Sequence, residues 1–421
     1  MIQKVLYIFK DPDLRRRILF MLGILIVFRL TAAIPIPGVD IAQLQAFLSG
    51  NQLLGLLNIF SGGALDNLSI AMLGLGPYIT GSIIMQLMTI VFPQLKEMYQ
   101  EAGEAGRQKF NQYSRLLTVP LAILQGYGLL ALLSRQGVFS DVSAFGMATN
   151  IIIVTAGALF LMWLGELISE YGIGNGVSVM IFAGIVAGVP TSIQQTLVSF
   201  DASQIPIFAT FVVLAVAVIA SVVFITEGER PVPVSYTKRV RGMRMYGGFS
   251  TYLPLRVNQA GVIPIIFALS ILLFPQMFAG FLAASSNAFF QGIANAFLRF
   301  SQNLLLYGLS YFVLVFFFTY FYTAVTFDPD TISNNLQKSG GFVPGIRPGR
   351  PTADFLSHVI TRITFVGAGF LGLIAVLPFI VQAATGIVTL SLGGTALLIV
   401  VSVVLEFMKQ MEGKLVMREY E

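Results

Sequence analysis

The sequence predicts an all-α polytopic membrane protein with ten spanning helices. Three observations carry that prediction. Mean hydropathy is +0.82, with 56% hydrophobic and only 11% charged residues among 421, outside the range of soluble domains. Ten apolar stretches are long enough to cross a bilayer, which takes roughly 20 apolar residues per helix. The basic residues, finally, gather in alternate connecting loops, as membrane insertion demands.

The cores of the spans read Ile18–Ile34, Tyr78–Phe92, Leu116–Leu133, Ile151–Ile168 and Val177–Val198, then Ile207–Thr226, Gly261–Leu282, Leu304–Val325, Ile363–Gln382 and Ile387–Met408. Gly184, Gly188 and Pro190 interrupt the fifth early. Five basic residues precede the first span, four lie between spans two and three, six between six and seven, four between eight and nine, and three follow the tenth. The opposite loops hold only Arg135 and Arg299. By the positive-inside rule both termini are cytoplasmic, and the alternation requires an even number of spans. Lys4, Lys10 and Arg15 to Arg17 before a long span read as a retained first helix rather than a cleavable signal.

The stretch leading into span two is the most informative. Asn58 to Leu68 is too short and too polar to cross a membrane, yet Ser61 can cap a helix and apolar residues recur at Ala64, Leu65 and Leu68. Gly74, Gly76 and Pro77 then break the chain, and Pro77 suits the first turn of a new helix. The expected element is a broken helix, a small plug-like half followed by a spanning half. Irregular backbone at membrane depth persists only where protein or a water-filled cavity covers it, so a cavity or pore is implied.

Two cytoplasmic loops are longer than a connection needs. Glu227 to Arg256 carries Pro231-Val232-Pro233-Val234 ahead of a basic cluster and predicts an extended hairpin. Phe327 to Arg362 carries the Gly- and Pro-rich run Gly340 to Gly349, which presents Arg347 at a tip. Such charges can simply enforce topology and touch anionic lipid; length and turn chemistry favour a surface for a partner.

Catalytic chemistry finds little support. There is no cysteine and one histidine, His358, which excludes disulfides, thiolate metal sites and multi-histidine centres. No HExxH, GxSxG or paired-aspartate motif occurs, and neither a catalytic residue nor a cofactor is expected. Gly172-Ile173-Gly174-Asn175-Gly176 lacks the preceding strand and following lysine of a nucleotide loop and reads as a tight turn between spans four and five. Of the charges in or near spans, Arg29 is expected to anchor the first helix, and Glu166, Glu170, Glu227 and Glu406, near span ends, to snorkel or pair.

Ile79 and Ile83, and likewise Ile181 and Ile185, are spaced i,i+4 and share a helix face. Spacing alone reads them as ordinary core or lipid-facing residues. Thr80, Gln86, Gln125 and Asn258 are polar groups able to hydrogen-bond between helices, worth roughly 1 kcal/mol each in a membrane and therefore exchangeable.

Taken together, Phe60 to Leu65, Gly76-Pro77-Tyr78-Ile79, Glu101 to Arg107, Gly172 to Gly176, Val257 to Pro264 and Phe342 to Gly349 give the chain a resemblance to the bacterial SecY family, the central subunits of protein-conducting channels. The resemblance runs from Asp13 to the tail. It departs from the usual pattern at Gln108, Met243 and Arg350. It implies two inverted halves, 1–200 and 201–421, closed around an hourglass pore. It places the pore ring on Ile79, Ile83, Ile181, Ile185, Ile266 and Ile399, and the plug on Phe60 to Leu68, namely Phe60, Ser61, Gly62, Gly63, Ala64, Leu65 and Leu68. It puts a lateral gate between spans two and three on one side and seven and eight on the other, with Thr80, Gln86, Gln125 and Asn258 as its polar seam. Arg239, Arg244 and Arg347 would meet the SecA motor or the ribosome. SecE, SecG, signal-bearing preproteins and membrane lipid complete the implied partners, and the plasma membrane is the implied location. The rival readings are a secondary transporter, which would show charged groups at mid-membrane in matching spans, and an intramembrane enzyme, which would show a catalytic constellation.

Overall fold

The computed structural model describes residues 11–40, 43–44, 58, 61–100, 102–135, 137–139, 143–198, 205–236, 239–241, 244–246, 250–283, 287–385 and 388–419. Each predicted span falls on one helix: α1 (Pro12–Ala33), α2 (Gly76–Val91), α4 (Gly103–Arg135), α5 (Ala144–Tyr171) and α6 (Gly176–Val198), then α7 (Ile205–Glu227), α8 (Ile263–Ala283), α10 (Leu304–Thr326), α12 (Arg350–Thr385) and α13 (Val388–Glu419). Helical stretches Gly103–Ser134, Ala144–Tyr171, Leu304–Lys338 and Arg350–Ala383 are each long and apolar enough to cross a bilayer unaided. Short helices α3 (Pro93–Gln100), α9 (Ala288–Gln302) and α11 (Pro329–Lys338) fill the connections. Phe92-Pro93 bends α3 away from α2 by 117°.

Local chemistry sets the boundaries. Asp11 caps α1 by accepting from Asp13 N at 2.9 Å, and Pro12 sits in its first turn. Ser143 caps α5 through Gly146 N at 3.1 Å. The turn between α5 and α6 is closed by Asn175 Oδ1, which accepts from Val177 N and Ser178 N, and by Ser169 Oγ, which accepts from Gly176 N at 2.8 Å. Two boundaries differ from expectation. α6 runs unbroken through Pro190, since a proline there removes one donor but leaves the packed face of the helix intact. The second long loop ends at Arg350 rather than Arg362, because the segment from Arg350 onward already has helical packing: Ala353 and Leu356 are buried.

The connections sort onto two faces. On one, the link after α1 pairs with the lead-in to α2 through the bridge Pro35–Ser69, and with the link after α4 through Val39–Phe139. On the other, Leu14 of α1, Ile173 of the α5–α6 turn and Met411 of α13 pack together. Lys409 of α13 there pairs with Glu227 at the end of α7, 2.8 Å away. This second face also carries the two long loops, and they are joined. Strand β1 (Glu229–Tyr236) pairs antiparallel with β4 (Ser250–Arg256), from Glu229–Arg256 to Ser235–Ser250. β5 (Gly341–Phe342), from the other loop, adds to the opposite edge of β1 at Ser235–Phe342 and Tyr236–Gly341. Strands β2 (Arg239–Arg241) and β3 (Arg244–Tyr246) form a separate small hairpin between them. Val232, Leu255 and Val343 bury against Leu356, Val359 and Ile360 at the base of α12, so the two loops share one core.

Within the bilayer, lipid tails are as apolar as leucine, so helices associate by close packing rather than by escape from water. Gly157 on α5 shows the consequence. A Cβ built there would lie 1.9 Å from the carbonyl oxygen of Ile70, so the lead-in to α2 rests directly on the helix backbone. Gly157→Ala is therefore expected to cost about 1–3 kcal/mol of overpacking, read as a lower melting temperature of the purified chain. A variant that melts with the parent would show that α5 can stand further off.

Candidate channel site

The six isoleucines come from four helices. α2 supplies Ile79 and Ile83, α6 supplies Ile181 and Ile185, α8 supplies Ile266 and α13 supplies Ile399. All are between 1% and 7% exposed and belong to one continuous cluster of buried side chains. Branched apolar side chains exclude ions without offering fixed hydrogen bonds, which is the property of a dewetted constriction.

Ala64 belongs to the same cluster, whereas Leu65 and Leu68 belong to a second one with Ile36, Leu133, Val138 and Phe139. The segment they occupy is not the short helix the sequence suggested; residues 61–75 form consecutive turns. The i,i+3/i+4 spacing arises because successive turns feed two different clusters, not one helix face. Ser61 is not a cap: its hydroxyl donates to Asn58 O at 3.0 Å. Asn58 is the organiser, its Oδ1 accepting from Leu65 N and Asp66 N at 3.2 and 3.1 Å. Phe60 lies outside the described residues.

The segment is held at both ends. At its start Arg29 donates through Nη1 to the carbonyl of Gly62. Gly62 has φ +72°, and a Cβ there would sit 2.6 Å from Phe28 Cζ and 3.2 Å from Gly184 Cα. Arg29 thus binds the turn segment as well as belonging to the first helix, and Gly184, which the sequence offered as an interruption, gives α6 a smooth surface for it. Further along, Leu68 O accepts from Ile36 N and Ile34 O accepts from Ile70 N, both at 2.9 Å.

α8 packs against both α2 and α4 on one flank and against α10 on the other. Gln125 of α4 donates to Thr80 Oγ1 of α2 at 3.4 Å, and Thr80 in turn donates to Gly76 O. That bond joins two helices of the same wall. Gln86 donates to Ser82 Oγ at 3.4 Å, leaving its buried Oε1 without a partner among the described residues. Asn258 lies in the link ahead of α8 rather than on the helix; it is buried, its amide donates to Gly261 O at 3.2 Å, and its Oδ1 is likewise unpartnered. Gln86 on α2 and Asn258 ahead of α8 thus each carry an unspent buried acceptor.

Arg239 and Arg244 fall on β2 and β3, facing each other's strand through the Arg241–Arg244 and Arg239–Tyr246 pairs. Arg347 is exposed between Gly345 and Gly349, both in left-handed backbone. Its carbonyl accepts from Thr352 Oγ1 at 2.8 Å, and Gly349 O accepts from Ser333 Oγ at 2.6 Å, so the turn is fixed while the guanidinium projects.

The acidic candidates are mostly engaged. Glu166 pairs with Arg115 across α5 and α4, Glu227 with Lys409, and Glu406 accepts from Gln410. Among the described residues no group of three or more metal-ligating side chains occurs. Sequence reasoning missed α9, although Phe289, Ile293, Phe297 and Phe300 recur at helical spacing, and it missed the β1–β5 pairing, which no local pattern announces.

Helices packed around an apolar centre, with a folded-in segment beneath it and a joined pair of loops on one face, define a polytopic membrane channel. The SecY family model matches residues 69–408. The chain is 45% identical to the protein translocase subunit SecY of Mycobacterium tuberculosis strain H37Rv, covering 98% of this chain and 97% of that one. The protein translocase subunit SecY of Streptomyces galbus is also 45% identical, with the same coverage. Among solved structures, a protein-conducting channel superposes with a TM-score of 0.64 at 17% identity, over 94% of this chain and 91% of the other. A SecY whose plug domain stabilises the closed state of the translocation channel and maintains a membrane seal gives 0.62 at 18% identity, with the same two coverages. Sec61 of the canine ribosome–channel complex from the endoplasmic reticulum gives 0.60 at 18% identity, again over 94% and 91%. The chain belongs to the SecY family of protein translocase subunits.

Proposed function

We propose that this chain forms the passive pore of a translocase in the bacterial plasma membrane, with both termini cytoplasmic and halves 1–200 and 201–421 around an hourglass. Six isoleucines from four helices sharing one buried cluster with Ala64 carry the reading. At rest the isoleucine collar and the plug, Phe60 to Leu68, block the path. An apolar signal sequence enters between α2–α4 and α8–α10 and shifts the closed–open equilibrium by binding the open state better. Thr80, Gln86, Gln125 and Asn258 line that seam; their bonds stay on one side of it, and the unpartnered oxygens of Gln86 and Asn258 are open to an entering chain. Polar segments pass through; sufficiently apolar ones leave sideways into lipid. SecA or the ribosome supplies the work at the loops bearing Arg239, Arg244 and Arg347, and SecE and SecG complete the complex.

The test is reconstitution with SecE and SecG in sealed vesicles, adding SecA, ATP and a secretory precursor and scoring protease-protected product. Product supports the channel; its absence with SecE present returns the reading to a small-solute transporter. Gly62→Ala probes the resting state. Its φ of +72° and its contact with Phe28 leave no room for a methyl group, so the seated segment loses about 1–3 kcal/mol. Faster anion efflux from substrate-free vesicles is the expected result. Unchanged efflux would mean that this segment does not seal.

A further inference from the structure

We infer that α9 is a membrane-interface anchor, lying along the bilayer boundary on the face opposite the joined loops with Phe289 and Phe290 set among phospholipid acyl chains. α9 follows α8, which starts at that loop face, so it sits at the far end of the span. It packs against α8 and α10. Ala294 is fully buried and Ile293, Leu298 and Phe300 are half-buried on the inner side. Gln291, Asn295 and Arg299 form an i, i+4, i+8 stripe facing out, the polar arc of a helix that lies in an interface, with a cation able to snorkel.

Phe289 is 69% exposed and Phe290 39%, their rings edge-to-face at 5.8 Å. Exposed phenylalanines need an occupant, and the two spanning helices that flank α9 name it. Beyond the C-terminal end of α9, Leu305, Leu306 and Leu309 at the start of α10 are 75%, 46% and 58% exposed, which is the lipid-facing surface of a spanning helix. The corner between α9 and α10 is a single residue. Asn303 N donates to Phe300 O at 3.2 Å and Asn303 Oδ1 accepts from Leu306 N at 3.1 Å. So short a corner holds the C-terminal end of α9 at the height where α10 enters the bilayer, and α8 ends at Ala283, only a few residues before Ala288 opens α9, so both ends of α9 are tied to the membrane boundary.

Tryptophan fluorescence tests this without any transport step, so its outcome stands apart from the channel reading. Trp163 is the sole tryptophan. In a Trp163→Phe background, Phe289→Trp is introduced, and the chain with its small partner subunits is placed in phosphatidylcholine vesicles brominated at the carbonyl or the methyl end of the acyl chains. A blue-shifted emission quenched about twofold or more by the shallow bromines, and less by the deep ones, is expected for a helix lying 5–10 Å into the boundary. Phe290→Trp is the second probe and should behave alike. A water-like, unquenched emission overturns the anchor. So does stronger quenching by the deep bromines, or quenching seen with the chain alone that vanishes once the partner subunits are added, since a protein then covers the face.

Discussion

In the reconstituted assay Arg347→Glu is expected to cut SecA-driven protected product at least about tenfold, which corresponds to roughly 1.4 kcal/mol of lost docking. Among the described residues its guanidinium makes no hydrogen bond or ion pair, and the turn under it is held by backbone carbonyls of Arg347 and Gly349. Reversal therefore changes the charge offered to a partner without unfolding the tip. Breaking one side of a desolvated charge pair typically costs 2–5 kcal/mol, about half of which would already produce the loss. If product survives, the motor touches the lobe elsewhere, with Arg239 and Arg244 the next positions to reverse.

The second large effect is expected from Ile399→Asn. Ile399 is 1% exposed in the central cluster, and an amide there finds only apolar neighbours in the closed state. An unsatisfied buried polar group costs about 1–3 kcal/mol. Water or a passing chain relieves that penalty once the pore opens, so the closed–open balance moves by roughly 5- to 150-fold. Precursors with defective signal sequences should then be transported, and Ile399→Val should leave selection intact. A variant that folds, transports normal precursors and still rejects defective ones would sink this account of gating.

Much of the frame was readable in the sequence because bilayer physics is local. Length of apolar run and Pro77 at a first turn act within a few residues, and each marks its helix boundary. Legibility fell where distance in the chain separates the partners. Ile266 and Ile399 have no spacing relation to Ile79; only the packing of α8 and α13 beside α2 and α6 puts them in one cluster. The turns at 61–75 misled because Ala64 serves one cluster and Leu65 the other, which imitates helical periodicity. α9 hid in the link between the predicted spans Gly261–Leu282 and Leu304–Val325, where an aromatic stripe too short to cross a membrane stands outside the span pattern.

The pairing of β1 with strands from both loops has a consequence for how this chain can tolerate change in length. Val232, in the shared core, and Val234 are buried while Pro231 and Pro233 face out. One residue inserted in β1 would turn every following side chain to the opposite face, and it would shift the partners of β4 and β5 together. The two loops are thus fixed to a common ruler, although more than 100 residues of chain separate Ser235 from its partner Phe342. Extra residues can be absorbed between β1 and β4, around the β2–β3 hairpin, where the ladder places no such demand. An epitope inserted there should leave the lobe folded, and the same epitope within β1 should not.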